Sequence, residues 1–377
     1  MSFRLPTCLW PVTRSRWTGL ASLLVLPWVV QSSCIGDNTA YCPEDSDRPE
    51  CRRTIDTPDL AMDDPRVDLS RPPSDLAGAD LSSPLDAAGS PIDIDKPGPY
   101  KTAVLEVPIS VTGGTTRTTI IGPSDDGATL TLRDAPFPVV VLSPGFTLAT
   151  SYFTNYGQRL ASYGLIAVLQ KVPNEVNHTT YRTNTVELLD WLEKPTGPDS
   201  SRVKGRLDPD KLGLVGHSLG GMISLHVAAA DPRVKAVFGL DPVDSESLPV
   251  KGLLTRIKLP SGVPIAYVGE TISKGGLMPC APAARNYEVL FASSPAPAFA
   301  ITVVGAAHND FIDLCGLACS ICPGGTAMKE RTNRLAIRYV TAYFLRHLRG
   351  DVRAETYLSG GELGKDIAAG FITRTSK

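Results

Sequence analysis

The sequence predicts a wound α/β domain with a mostly parallel central sheet flanked by helices, and three observations carry that prediction. Beyond Pro97 the chain alternates runs of branched aliphatics with amphipathic stretches, the texture of strands and helices in turn. Phe137-Pro-Val-Val-Val-Leu142 and Leu165-Ile-Ala-Val-Leu169 are unbroken apolar runs, as in parallel strands covered on both faces. Around Ser218 a strand pattern passes through a glycine-flanked turn into an apolar helical pattern.

Two segments precede that domain. Residues 1–34 carry Arg4, Arg14 and Arg16 and no acid, then an apolar run from Leu20 to Val30 and the small pair Ser32-Ser33, the layout of a secretory signal. The charge-free stretch from Trp17 to Gly36 is just long enough to span a bilayer, so retention as an anchor is the alternative to cleavage; Pro27, Gln31 and the serines weaken it. Cys34 closes the segment and resembles the acylated cysteine of a bacterial lipoprotein signal, although Gln31 stands where such signals usually carry Leu. Export is expected, with a membrane tether through Cys34 or an uncleaved signal as its variants. Residues 35–97 hold 15 acids against 6 bases, with 13 aspartates, 9 prolines and no aromatic beyond Tyr41. Such a stretch buries too little surface to offset the entropy of ordering, and it is expected to be a disordered Asp/Pro-rich linker. Cys42 and Cys51 either close a small loop there or are two unrelated thiols.

Residues 98–377 hold 24 acids and 28 bases, too nearly neutral for a nucleic-acid binder. The whole chain of 377 residues is 42% hydrophobic with a net charge of −2, which excludes uniform disorder. Its 32 prolines and 33 glycines are scattered, which excludes collagen and coiled coil. Two early strands are expected over Thr102–Val111 and Arg117–Ile121, turning at Gly113-Gly114. Strand Phe137–Leu142 leads into Ser143-Pro144-Gly145-Phe146, a helix follows over Tyr152–Tyr163, and then comes strand Leu165–Leu169. The periodicity of Val186, Leu189 and Leu192 predicts a helix over Arg182–Glu193. Further strands are expected at Ala236–Leu240, Pro264–Val268 and Phe299–Val304, and His347 falls in the last helix.

The chemistry begins at Gly216-His217-Ser218-Leu219-Gly220. A serine in a sharp strand-to-helix turn projects above the sheet, and only small flanking residues permit that turn. The competing reading, a glycine-rich phosphate loop, lacks both Gly-Lys-Ser/Thr and G-x-G-x-x-G. A serine hydroxyl needs a base to take its proton and an acid to orient the base. Of five histidines, His217 belongs to the turn as packing, and His178, His226 and His347 read as structural or surface residues. His308 follows the last predicted parallel strand and the small-residue loop Gly305-Ala-Ala, where a base would be delivered; the alternative is an ordinary loop histidine. Asp241 at a strand end, Asp244 three residues on, and Glu270 at the end of the next strand are all candidates for the acid by position. Asp310 and Asp313 are expected to cap or turn the chain. For a developing oxyanion the expected donors are the backbone N–H groups of Leu219 and Phe146, the latter in a loop that otherwise reads as a tight turn.

Taken together, Gly-His-Ser-Leu-Gly-Gly, Gly239-Leu-Asp-Pro-Val-Asp244, Pro279-Cys-Ala-Pro282 with Asn286-Tyr-Glu288, and Gly305-Ala-Ala-His-Asn-Asp-Phe311 resemble the plant chlorophyllases and their bacterial relatives. These are α/β-hydrolases close to platelet-activating-factor acetylhydrolases, and the likeness runs in order from about Phe137 to Gly350. The resemblance implies an α/β-hydrolase fold and a carboxylic ester hydrolase without metal or organic cofactor, with Asp241 as the acid and His308 as the base. The chlorophyllases themselves cleave the phytyl ester of chlorophyll. Plant members usually carry Arg at the position of Leu219, and they lack the acidic leader.

Cys280, Cys315, Cys319 and Cys322 are expected to form two disulfides around His308, of unassigned pairing. A zinc site on Cys319-x-x-Cys322 is the rival. Phe146, Leu148, Tyr152 and Phe153 suggest a small-molecule ester with hydrophobic bulk, or simply core. The sequence thus reads as an exported serine esterase, against a non-catalytic surface binding module on the same scaffold and an exported amidase or peptidase.

Overall fold

In chain order the apolar runs become strands of one twisted sheet. The computed structural model describes residues 91–175, 177–244, 262–275, 279–313, 322 and 324–377. Cys34, Cys42, Cys51, Cys315 and Cys319, with the expectations attached to them, lie outside the described residues. Strands β1 (Lys101–Val111) and β2 (Gly114–Ser124) form an antiparallel hairpin. Its turn needs the positive φ of Gly113, +94°. Ala103, Leu105, Val107 and Ile109 alternate inward along β1, the period of a half-buried strand. All seven residues of β3 (Phe137–Ser143) are buried, as its unbroken apolar run requires. A single 3-10 turn, Thr150–Phe153, runs into α1 (Thr154–Ser162), and β4 (Ile166–Leu169) follows.

Helix α2 (His178–Glu193) begins four residues before the predicted start, because the Asn177 side chain accepts the Thr180 N–H and caps it. Next come β5 (Leu207–His217), α3 (Leu219–Ala230), β6 (Val234–Leu240), β7 (Ile265–Gly269), α4 (Tyr287–Ser293) and β8 (Ala298–Val303). The chain ends with α5 (Lys329–Leu348), the short α6 (Glu355–Leu358), α7 (Gly361–Ala368) and β9 (Ile372–Ser376). Among the described residues the sheet order is β1-β2-β4-β3-β5-β6-β7-β8-β9. Strands β3 to β8 pair in parallel, while β1–β2, β2–β4 and β8–β9 are antiparallel. The mostly parallel sheet flanked by helices is the architecture expected from the sequence.

Two apolar cores sandwich the sheet. Residues of α1, α5 and α6 pack with Val140, Leu142 and Phe238 on one face, and residues of α2, α3 and α4 pack with Val139, Val141 and Val237 on the other. Each fully buried aliphatic or aromatic side chain is worth about 1.5–3 kcal/mol relative to exposure. These layers therefore hold the carboxyl ends of β3, β5, β6, β7 and β8 in a fixed row. Residues 91–97, which composition places in the linker, lie against this body. Ile94 is wholly buried, its N–H donates to Tyr357 Oη at 3.3 Å, and Arg338 Nε donates to Asp95 at 2.8 Å. One isoleucine and one aspartate suffice there because α5 and α6 offer matching partners. Among the described residues no helix is long and apolar enough to cross a membrane.

Candidate active site

The turn between β5 and α3 puts Ser218 at φ +54°, ψ −123°, outside the regions that L-residues favour. Such a conformation costs on the order of 1–3 kcal/mol and persists only when its surroundings hold it. They do so through backbone: the Ser218 N–H donates to Leu240 O at 3.1 Å, and Ser218 O accepts from Val243 N–H at 3.1 Å and Met222 N–H at 3.2 Å. The flanking glycines are sterically required. A Cβ on Gly216 would lie 2.4 Å from the Gly220 carbonyl, and one on Gly220 would lie 2.1 Å from Ser143 O.

The same stitching sets the acid. Asp241 directly follows β6, at φ +40°, with its N–H donating to Val268 O at 2.7 Å. His308 Nδ1–H donates to Asp241 Oδ2 at 2.6 Å, with Asp241 wholly buried and His308 only 4% exposed. Because the carboxyl oxygen accepts the Nδ1–H hydrogen bond and so fixes the proton on Nδ1, the Nε2 of neutral His308 is left with a lone pair. Burial pushes His308 down to about 4 and Asp241 above the usual carboxylate range. Of the three acids that position alone leaves open, Asp241 is the one bonded to the imidazole. Asp244 lies further along, its N–H donating to Arg285 O at 2.9 Å. Glu270 Oε2 instead accepts the N–H groups of Ile272 and Ser273, the latter at 2.6 Å.

The segment carrying His308 is braced from several elements. Its N–H donates to Ser273 Oγ at 3.0 Å, and Lys329 Nζ of α5 donates to Asn309 O and Ile312 O, each at 2.7 Å. Asp310 Oδ2 accepts the Ala307 N–H at 2.8 Å, the capping expected of it. Asp313 likewise holds the chain, accepting the Asn155 N–H at 2.7 Å. His217 does more than pack. Its Nε2–H donates to His308 O at 2.9 Å, and the two rings lie 4.5 Å apart between centroids, so the residue before Ser218 props the loop of His308. Nothing in the motif separates that role from packing; the only hint is a histidine at an apolar position. Among the described residues Ser218 Oγ has no hydrogen-bond partner. Ser218 is half-buried and follows the His217 ring, which lies tilted against that of His308.

Gly145 runs close beside the serine, since a Cβ there would stand 3.0 Å from Ser218 Cβ and 3.1 Å from His217 Nδ1. Neither the Phe146 N–H nor the Leu219 N–H has an acceptor among the described residues. Leu219 opens α3, where the first N–H groups have no intrahelical partner and the helix dipole favours negative charge. The Phe146 ring is 47% exposed and Leu148 and Tyr152 are half-buried, whereas Phe153 is core. His178 is buried at the start of α2, His226 is half-buried and pushed down to about 4 by burial, and His347 lies exposed near the end of α5. Cys280 and Cys322 form a disulfide, which ties the segment after β7 to the one beyond His308. It takes Cys322 out of any thiolate ligand set. Among the described residues no cluster suited to a metal ion occurs.

A family model described as PET hydrolase-like matches residues 90–253. The bis(hydroxyethyl) terephthalate hydrolase of Streptomyces coelicolor is 33% identical over 145 residues, covering 38% of this chain and 44% of that protein. Chlorophyllase-2 of Arabidopsis thaliana is 25% identical over 202 residues, covering 48% and 63%. Cutinase est1 of Thermobifida alba is 29% identical over 107 residues, covering 28% and 35%. The chain thus spans between about a third and two thirds of the length of these relatives. The sheet order, the strained serine turn and these likenesses agree: the chain has the α/β-hydrolase fold and is similar to PET hydrolase-like and chlorophyllase-like proteins.

Proposed function

We propose that this protein is an exported serine ester hydrolase that works through an acyl-enzyme. Ser218 attacks the ester carbonyl while Nε2 of His308 takes the hydroxyl proton; Asp241 stabilises the imidazolium that forms. The carbonyl oxygen gains negative charge and is received by the N–H groups of Phe146 and Leu219. His308 returns the proton to the leaving alcohol, leaving an ester on Ser218. Water then attacks that ester with His308 again as base, and the acid product departs.

One observation carries this reading: the 2.6 Å bond from His308 Nδ1–H to buried Asp241, beside a serine held at φ +54°. That bond orients the lone pair a general base requires. The two N–H groups, without acceptors among the described residues, support the oxyanion role. The relatives are by name hydrolases of esters or polyesters, which supports the same bond class here. The exposed Phe146 ring favours an ester with hydrophobic bulk, as chlorophyll is for the plant relative. Export is supported by the basic-then-apolar leader and by the disulfide, which persists in oxidising compartments.

The test is covalent. A fluorophosphonate probe is expected to label Ser218, and Ser218→Ala to lose both labelling and hydrolysis of a p-nitrophenyl ester while melting like the parent. Turnover retained in Ser218→Ala ends the proposal.

A further inference from the structure

Two acids, not one, stand at the base of the candidate machinery. β6 and β7 are adjacent and parallel, with Leu240 opposite Val268, so Asp241 and Glu270 leave the sheet at neighbouring places. Both are 0% exposed. Each keeps one oxygen without a partner among the described residues, Oδ1 of Asp241 and Oε1 of Glu270. The remaining oxygens are committed: Asp241 Oδ2 to His308, Glu270 Oε2 to the N–H groups of Ile272 and Ser273. The turn that Glu270 folds in this way carries the base. Ser273 Oγ accepts the His308 N–H at 3.0 Å, Thr271 Oγ1 accepts the Gly305 N–H at 2.9 Å, and the Thr271 and Ile272 N–H groups donate to Ala306 O at 3.3 and 3.2 Å.

Two wholly buried carboxylates at the ends of adjacent strands do not both carry charge. The Nδ1–H of His308 selects Asp241 for the charge. Glu270 then holds the proton, on the oxygen that no backbone N–H occupies. Among the described residues the other charged or titratable groups around the Glu270 and Asp241 pair are Lys274 in the Glu270 turn, Tyr287 and Glu288 from α4, and His308 beyond β8. Lys274 is paired 2.5 Å from Glu288 and also favours the charged forms of Asp241 and Glu270.

We propose that Glu270 is a positioning residue for the Ser218, His308 and Asp241 machinery and acts as a neutral acid: it folds the 271–273 turn under His308 and leaves the single negative charge to Asp241. The inference rests on the proposed function for its consequence in catalysis. Burial first, and the charge of Asp241 second, push Glu270 up to about 7, so the neutral form dominates below that pH and is lost above it.

The experiment compares wild type, Glu270→Gln and Glu270→Ala in two readouts. The first is the rate of Ser218 labelling by a fluorophosphonate; the second is the pH titration of the His308 ring by NMR, with a thermal melt of each variant as the folding control. Glu270→Ala strands the buried Ser273 N–H and takes one of its two acceptors from the Ile272 N–H, and its labelling rate is expected to fall at least about tenfold. Glutamine keeps a neutral acceptor for those groups and is expected to recover labelling to within about threefold of wild type. The His308 ring of wild type should show an added step near pH 7, as Glu270 ionises beside Asp241, and that step should vanish in Glu270→Gln. A glutamine variant as slow as the alanine variant overturns the inference, as does a step that persists in Glu270→Gln. A wild type that labels normally with either of those outcomes leaves the proposed function standing. A wild type that never labels overturns that function and this inference with it.

Discussion

Replacing Asp241 by Asn tests whether the carboxyl works by charge or merely by shape. Asp241 Oδ2 accepts the His308 Nδ1–H at 2.6 Å, and Asp241 Oδ1 has no partner among the described residues, so an asparagine can turn its oxygen to the histidine and its NH2 into the other position. The hydrogen bond and the tautomer then survive, and only the ion pair with the developing imidazolium is lost. At 2.6 Å and an effective dielectric of about 20, that pair is worth about 6 kcal/mol. The neutral hydrogen bond returns about 0.5–1.5 kcal/mol. Asp241→Asn should therefore raise the barrier by about 4.5–5.5 kcal/mol and lower kcat/KM by between roughly three and four powers of ten. The melting temperature should hold or rise, because the change removes a buried charge. The assay is steady-state hydrolysis of p-nitrophenyl butyrate, with a circular-dichroism melt alongside. If Asp241→Asn keeps more than about a tenth of wild-type kcat/KM while Asp244→Asn loses activity, the acid has been assigned to the wrong strand end.

Two further outcomes follow from the same geometry. Burial lowers His308 to about 4, so the neutral base persists to acid pH and kcat/KM should decline only as pH falls through about 4–5; an acid limb at the ordinary histidine value of about 6.5 or above contradicts a dry imidazole. Cys280→Ser opens a link between positions 42 residues apart, which should remove about 2–4 kcal/mol and lower Tm by several degrees; identical melts of the wild type with and without reductant would show the bridge to be idle.

Much of the sheet was legible because its strands are unusually pure. Phe137–Leu142 and Ala236–Leu240 are buried on both faces, so no polar residue interrupts them and the apolar run alone marks the strand. The serine turn was legible because Gly216 and Gly220 are forced by contacts of 2.4 and 2.1 Å that no other residue survives. β9 was not, since only Ile372 of its five residues is well buried and an edge strand carries little apolar signal. α2 was misjudged at its start, where His178-Thr-Thr has weak helix propensity but Asn177 supplies the cap. The choice among Asp241, Asp244 and Glu270 was beyond periodicity, because each stands at or just past a strand end. Only the register of β6 and β7 and the path of the 305–308 loop decide which one meets the imidazole. The prop from His217 to His308 joins positions 91 residues apart, and local pattern does not record such pairs.

The attachment of residues 91–97 to α1, α5 and α6 has a mechanical side. Tyr163 Oη donates to Asp93 O at 2.6 Å, Arg159 reaches Lys96 O at 2.9 Å, and Arg338 grips Asp95. Tension applied along the leader is therefore borne first by α1 and α5, and Ile94 must be pulled from its socket before any load reaches β1. Force would meet a ratchet of small, separate attachments and be shed there, sparing the row of strand ends on which the serine and histidine stand.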